Sequence, residues 1–465
     1  MVKAANAPKK RRSGSGIAAG IGGDDVELDG RQGGLLALLG GFRPLPAGRM
    51  RLVVPVATLA AELAMAERFR RAGVSRIARG KSPVDGGMLL TASATASATA
   101  GKLLFFTTDG NRSAKFAIAA EVERPAAALT SWKAVVDAAK ILQIAGACSG
   151  RIAFEFLPDA QEFYVLTETG AIYRLRQLAE EDRYPQEPMN SDSEVRYVEV
   201  THSVLSRSLA RVLPLMGAKD SCPIQIRLAG GLAMVAGTDT RRLIWAVDDD
   251  ECLAANPVES AIVALVDEDD VRLVADAIGE DVDSVVTIGM VADRGLSFRS
   301  SSLGREFFFR LAADGFPAVE KFVRSVDCKN LEEARFNKAE LLQAIGIVAT
   351  ADAMALVLSI DADSGECAMS ARGDDTRGYV DSVSTVLGCE YSGMSGLKGA
   401  VALRHLLDAV ESIGDEDVKI FFCCESAGDG YVANQYRVTD GNGAPSMAMD
   451  EPWVVSVLLP VSGVI

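Results

Sequence analysis

A chain of 465 residues, 49% hydrophobic and 24% charged, has the make-up of a folded globular protein and accommodates about three domains at roughly 150 residues each. Apolar runs such as Leu35–Leu39 fall far short of the ~18 residues of a membrane-spanning helix. The net charge of −15 argues against a nucleic-acid partner unless the Lys and Arg side chains gather on one surface.

In chain order, residues 1–48 read as a flexible, Gly-rich, basic leader. Lys9, Lys10, Arg11 and Arg12 precede Ser13–Gly23, and no sustained apolar stretch follows of the kind a secretory signal carries. Three similar units follow, with expected bounds 49–192, 193–330 and 331–465. Each reads as a strand, a helix, several strands, a second helix and further strands.

In the first unit a helix is expected from near Pro55, with Val56, Leu59, Leu63 and Ala66 on one face. Thr91–Ala100 alternates Ala with Ser or Thr and fits a loose strand or loop. A second helix is expected from near Thr130, with Trp132, Val136 and Ala139 as its apolar face. Tyr184–Glu194, with two prolines and several acids, reads as a linker.

The second unit repeats the pattern from His202 (Leu205, Leu209, Val212, Leu213, Met216) and from Glu268 (Val271, Val274, Ile278). Asp327–Glu333 reads as the next linker. The third repeats it from Lys338 (Leu341, Leu342, Ile345, Val348) and from Leu403 (Leu406, Leu407, Val410). Successive copies are offset by roughly 135 to 147 residues, one domain length each.

A turn recurs in phase with the helices. Thr108-Asp109-Gly110-Asn111-Arg112 and Thr238-Asp239-Thr240-Arg241-Arg242 each follow an apolar strand, and Ala371–Arg377 is a looser third copy. Asp and Gly favour a turn there, and the flanking alternation supports strands.

Eight cysteines are scattered through the chain without a CxxC pair, and Cys423 adjoins Cys424. Several lie in apolar runs, so free buried thiols in a reducing cytoplasm are expected rather than a disulfide framework or a metal site.

These features resemble the beta sliding clamp of bacterial replication, over about residues 50 to 465. The best-matching segments are Thr238–Leu243, Asp314-Gly315-Phe316-Pro317 and Val457-Leu458-Leu459-Pro460-Val461. The resemblance implies an α+β DNA-clamp fold: three similar domains, each with two helices packed on antiparallel sheets. It also implies a head-to-tail homodimer ring, whose helices line a hole around double-stranded DNA and whose sheets form the outside. It implies no chemistry and no cofactor, a separate ATP-driven clamp loader, and DNA polymerase and other replication and repair partners.

Partners of such clamps bind an apolar groove between the second and third domains. Carried over by motif, it comprises Thr238, Arg242, Leu243, Pro317, Phe322, Val457, Leu459, Pro460 and Val461. A few apolar anchors of an extended peptide supply most of the affinity at such a groove. The chain departs from the family at Ala402 and His405, where an Asn and a Tyr are usual. It departs again in Ser462–Ile465, beyond the usual chain end, and in its long leader.

If helices line a pore, their outer faces should be basic. Arg68, Arg71 and Arg76 on or after the first helix, Lys133 and Lys140, and Arg207 with Arg211 fit. Arg272, among acids, and Lys338 and Arg404, nearly alone, fit less well. A clamp that slides needs diffuse phosphate contacts without base readout.

Enzyme signals are scarce. No GxSxG, HExxH or Walker motif occurs, and the two histidines, His202 and His405, read as helix-surface residues. Gly14-Ser15-Gly16 with Gly20 lacks the βαβ setting of a dinucleotide loop. Acidic clusters such as Asp248–Asp250 and Asp267–Asp270 read as turns and helix starts. The leader segment Gln32-Gly33-Gly34-Leu35-Leu36 loosely resembles the short peptides clamps bind, and unstructured linker is the simpler reading. The alternative function is a clamp-fold scaffold that binds protein partners or another clamp without loading on DNA.

Overall fold

The computed structural model describes residues 41–46, 49–74, 87–94, 100–123, 131–157, 162–178, 184–185, 195–215, 223–239, 241–257, 261–278, 284–291, 295–312, 315–316, 331–373, 382–394, 396–427, 430–440 and 453–459. Seven helices lie in these segments: α1 (Val56–Val74), α2 (Ala138–Gly146), α3 (His202–Val212), the short α4 (Glu251–Ala255), α5 (Glu268–Ile278), α6 (Lys338–Ala349) and α7 (Leu403–Ser412).

Their starts have local causes. Asp137 accepts from Lys140 N at 3.1 Å to cap α2, and Asn337 Oδ1 accepts from Ala339 N and Glu340 N to cap α6. Three acids, Glu268, Asp269 and Asp270, fill the first turn of α5, where the helix dipole favours them.

Each third of the chain is one strand–helix–three-strand motif used twice, with α4 inserted in the second third and the short strand Glu390–Tyr391 in the last. The opening strands of the two motifs pair antiparallel with strands of the opposite half. Thus Arg51–Pro55 lies beside Arg151–Leu157, Val195–Thr201 beside Val285–Val291, and Leu331–Asn337 beside Asp417–Ala427.

The thirds are joined through their sheets by one repeated rule. The strand after the Thr-Asp turn of one unit pairs with the last strand of the next. Arg112–Glu123 pairs with Arg305–Arg310, and Arg242–Asp249 pairs with Trp453–Leu458, both antiparallel. Two extended sheets result, of 12 and 13 strands, each crossing a unit boundary. One edge strand of the first is Ile172–Arg176, and one edge strand of the second is Ser382–Gly388.

The helices pack on one face of these sheets. Leu59, Leu63, Leu205, Leu209, Val271 and Val274 join Leu90, Phe116, Ile226 and Phe298 in one core, and α6 and α7 bury Leu341, Ile345, Leu406 and Val410 in a second. Smaller apolar clusters lie on the opposite face of the strands. One holds Phe106, Val135 and Tyr184; another holds Met234, Ala236, Leu243, Trp245, Val247 and Val457.

The expected helix at Thr130 is not there: Ser131–Asp137 is a strand and α2 begins only at Ala138. Trp132, Ala134 and Val136 are buried on one side and Lys133 is exposed on the other, a period of two that the i, i+4 spacing of Trp132 and Val136 conceals. Thr91–Ala100 resolves at its ends into strand, with 95–99 outside the described residues.

Part of the leader is also placed. Phe42 packs on Val53, Ala153 and Leu166, while Arg43 and Arg49 bond the fully buried Glu155 beside Arg51. Cys423 is disulfide-bonded, so the expectation of free thiols fails there; Cys148, Cys252, Cys367, Cys389 and Cys424 are free. No helix among the described residues is long and apolar enough to cross a membrane.

Candidate functional site

The two Thr-Asp turns share the same pattern of hydrogen bonds. Thr108 Oγ1 donates to Arg112 O at 2.7 Å, and Thr238 Oγ1 to Arg242 O at 2.8 Å. Asp109 Oδ1 accepts from Asn111 N and Arg112 N, as Asp239 Oδ1 does from Arg241 N and Arg242 N. Gly110 takes φ +88°, the left-handed region that favours glycine. In the third copy only Ala371, Arg372 and Gly373 lie within the described residues.

Each turn arginine reaches into the next unit. Arg112 is ion-paired with Asp270 on α5, and Arg242 Nη1 with Asp408 on α7 at 2.5 Å; all four side chains are buried. Arg242 is held further by Asp239 at 2.8 Å and by Pro214 O at 2.8 Å. Its guanidinium thus frames the site and locks the seam. His405 stands next to this cluster, half-buried; burial, then the charge of Arg242, lowers its pKa.

Of the other groove candidates, Thr238, Leu243 and Val457 lie side by side across three strands of one sheet face. Leu459 is 39% exposed, and its N–H donates to Arg241 O at 3.1 Å. Pro317, Phe322, Pro460 and Val461 lie outside the described residues. Four residues that motif matching missed complete the patch: Met234, Ala236, Trp245 and Val247, with Phe316 packed against them. Their signal was present in Leu243–Val247, which is apolar at every position instead of alternating.

The basic candidates divide. Lys140 on α2 and Arg272 on α5 are exposed, and no ion pair reaches them among the described residues. Arg207 is half-exposed and Arg211 mostly buried, both paired with Asp248 at 3.1 and 2.7 Å. Arg68 pairs with Asp276 of α5, and Arg404 with Asp408 at 2.9 Å. The Lys338 ammonium donates to Ile413 O just past the end of α7. Lys133 is not a helix-face cation: it sits on a strand, on the face away from the helices. Arg71 lies in α1, and Arg76 lies outside the described residues.

His202 is not on the helix surface either. It is 2% exposed, and both ring nitrogens lack hydrogen bonds, so it is a core residue at the start of α3. Among the described residues no three His, Cys, Asp or Glu side chains are placed to hold a metal ion.

Repeated two-helix, sheet-backed units joined edge to edge through their outer strands define a clamp-type architecture. Solved structures share it. The DNA polymerase III beta subunit sliding clamp of Pseudomonas aeruginosa is 16% identical, with a TM-score of 0.67 over 89% of this chain and 100% of that one. A putative DNA polymerase III beta subunit of Eubacterium rectale is 13% identical, TM-score 0.68, over 89% and 100%. The DNA polymerase sliding clamp of Bacillus subtilis is 14% identical, TM-score 0.68, over 89% and 99%. The chain therefore has the bacterial beta sliding-clamp fold, at a divergence that leaves little shared sequence. No family model matches it, and no curated protein does.

Proposed function

We propose that this chain is a DNA sliding clamp: two copies close head to tail into a ring around double-stranded DNA, and the Leu243–Val457 groove tethers DNA polymerases and other replication and repair partners. The three units are domains bounded near residues 49–192, 193–330 and 331–465, and the ring works in the cytoplasm without catalysis of its own. The observation that carries this reading is the seam rule. Applied a third time, it pairs Ser382–Gly388, the strand after the third turn, with Ile172–Arg176, the last strand of the first unit. Both are edge strands among the described residues of the single chain. A second copy satisfies both edges at once and closes the ring, which suits open edges that a lone chain leaves unpaired.

Lys140 and Arg272, exposed and without an ion pair among the described residues, are the cations on helix faces best able to meet phosphates. A handful of such contacts suits sliding, since each adds salt-dependent affinity but no sequence preference. An ATP-driven loader opens the ring.

The test is loading on nicked circular DNA with a competent loader, alongside a solution mass. Retention on the circle with escape after linearisation, at twice the 49.1 kDa chain mass, is the expected result. A dimer that is never retained would instead identify a clamp-fold scaffold for protein partners, a role consistent with the pairing of Arg68, Arg211 and Arg404 to acids.

A further inference from the structure

The row Thr238–Leu243–Val457 does not stop at the groove. Val457 lies opposite Arg437, Arg437 opposite Phe421, and Phe421 opposite Glu333, so all six share one face of the sheet. Arg437 is 6% exposed, and its Nε is buried without a hydrogen bond. No ion pair reaches its guanidinium among the described residues. Glu333 at the far end of the row is paired with Lys419. Burial without an acid partner pulls the Arg437 pKa below the ordinary guanidinium value.

An unpaired buried charge costs stability, and proteins seldom keep one without a use. The fold itself does not demand it. In the matching row at the seam of the first and second units, Thr108, Ser113, Phe308, Ser297, Gly289 and Tyr197 occupy the same places. Ser297 stands where Arg437 does, and its hydroxyl is satisfied by Gly289 O at 3.2 Å. The cation is thus particular to the seam that carries the apolar patch.

We propose that Arg437 is a specificity residue of the groove, selecting partner segments that carry a carboxylate beside their aliphatic or aromatic anchors. The inference rests on the groove reading above. A carboxylate arriving there gains charge-assisted hydrogen bonds at a guanidinium largely shielded from water, and a neutral analogue leaves that charge without a counter-ion.

The test uses fluorescein-labelled six-residue peptides, each with two Leu and one Phe as anchors and one Asp walked through the remaining positions. Each is titrated against the full chain beside its Asn twin, by anisotropy. At least one Asp peptide should bind roughly tenfold or more tightly than its twin. Arg437→Gln should abolish that preference, and Arg437→Lys should keep part of it. Equal binding in every pair, or a preference that survives in Arg437→Gln, overturns the proposal. A chain ending at Leu458 separates the two ideas: it should lose both peptides of a pair. If it binds them unchanged, or if no peptide binds the full chain, the groove reading falls and the role of Arg437 with it.

Discussion

Arg242 in the second unit and Asp408 in the third form a buried ion pair at 2.5 Å, and Arg112 and Asp270 repeat it between the first and second units. In both cases a turn arginine, held by its own turn, crosses to the second helix of the following unit. The sheet strands and these arginines therefore secure the same seams from two directions.

Removing Asp408 leaves Arg242 buried with only Asp239 and a carbonyl as partners. Asp408→Ala should lower stability by about 3 kcal/mol, the lower end for breaking a buried pair. Denaturant unfolding measures it. A change within the ~0.5 kcal/mol typical of surface substitutions would show that the pair does not hold the seam.

Asp270 titrates against expectation for a salt-bridged acid. Burial dominates, aided by Asp267 and Asp109, and outweighs Arg112, so its pKa rises from 3.8 to about 7. The unfolded chain releases this proton near pH 4 and the folded chain near pH 7, so the folded state holds more protons in between. The contribution is complete below about pH 4 and is lost as pH rises toward 7. Wild type should thus lose stability relative to Asp270→Asn across that window, by something on the order of 3 kcal/mol. A stability difference that stays flat with pH would mean that Asp270 is ionised throughout.

DNA contacts should follow helix position and freedom from acids. Lys140→Ala and Arg272→Ala should each flatten the slope of log affinity against log salt by about 1, and Lys133→Ala should leave it unchanged. If Lys133 alone alters the slope, duplex passes over the sheet face and not along the helices.

Ring closure through Ser382–Gly388 predicts a mass change on charge insertion. Val386 is 58% exposed in the single chain, so Val386→Asp should spare its folding. It should shift the species from dimer toward the 49.1 kDa chain, with at least tenfold weaker association, measured by light scattering across a dilution series. A dimer unchanged by it would move the contact elsewhere.

Local patterns were enough to start α1, α3, α5, α6 and α7 within a residue of their observed positions. The 3.6-residue period of their apolar faces announces these helices in a short window, helped at α5 by an acidic first turn and at α6 by the Asn337 cap, and the Asx-bonded turn at Asp109 and Asp239 is as local. Trp132–Val136 satisfied both periods, and only its pairing with Gly87–Ala94 made it a strand. Burial of His202, the capture of Lys338 by Ile413 O and the long reach of Arg112 to Asp270 were equally hidden. Each depends on which surfaces meet after the units pack, and a side chain's partner many residues away leaves no mark on its neighbours in sequence. Composition and repeat determined that three like units exist; the seams, the committed arginines and the unpaired Arg437 were decided by tertiary structure, where desolvation sets the cost of every charge.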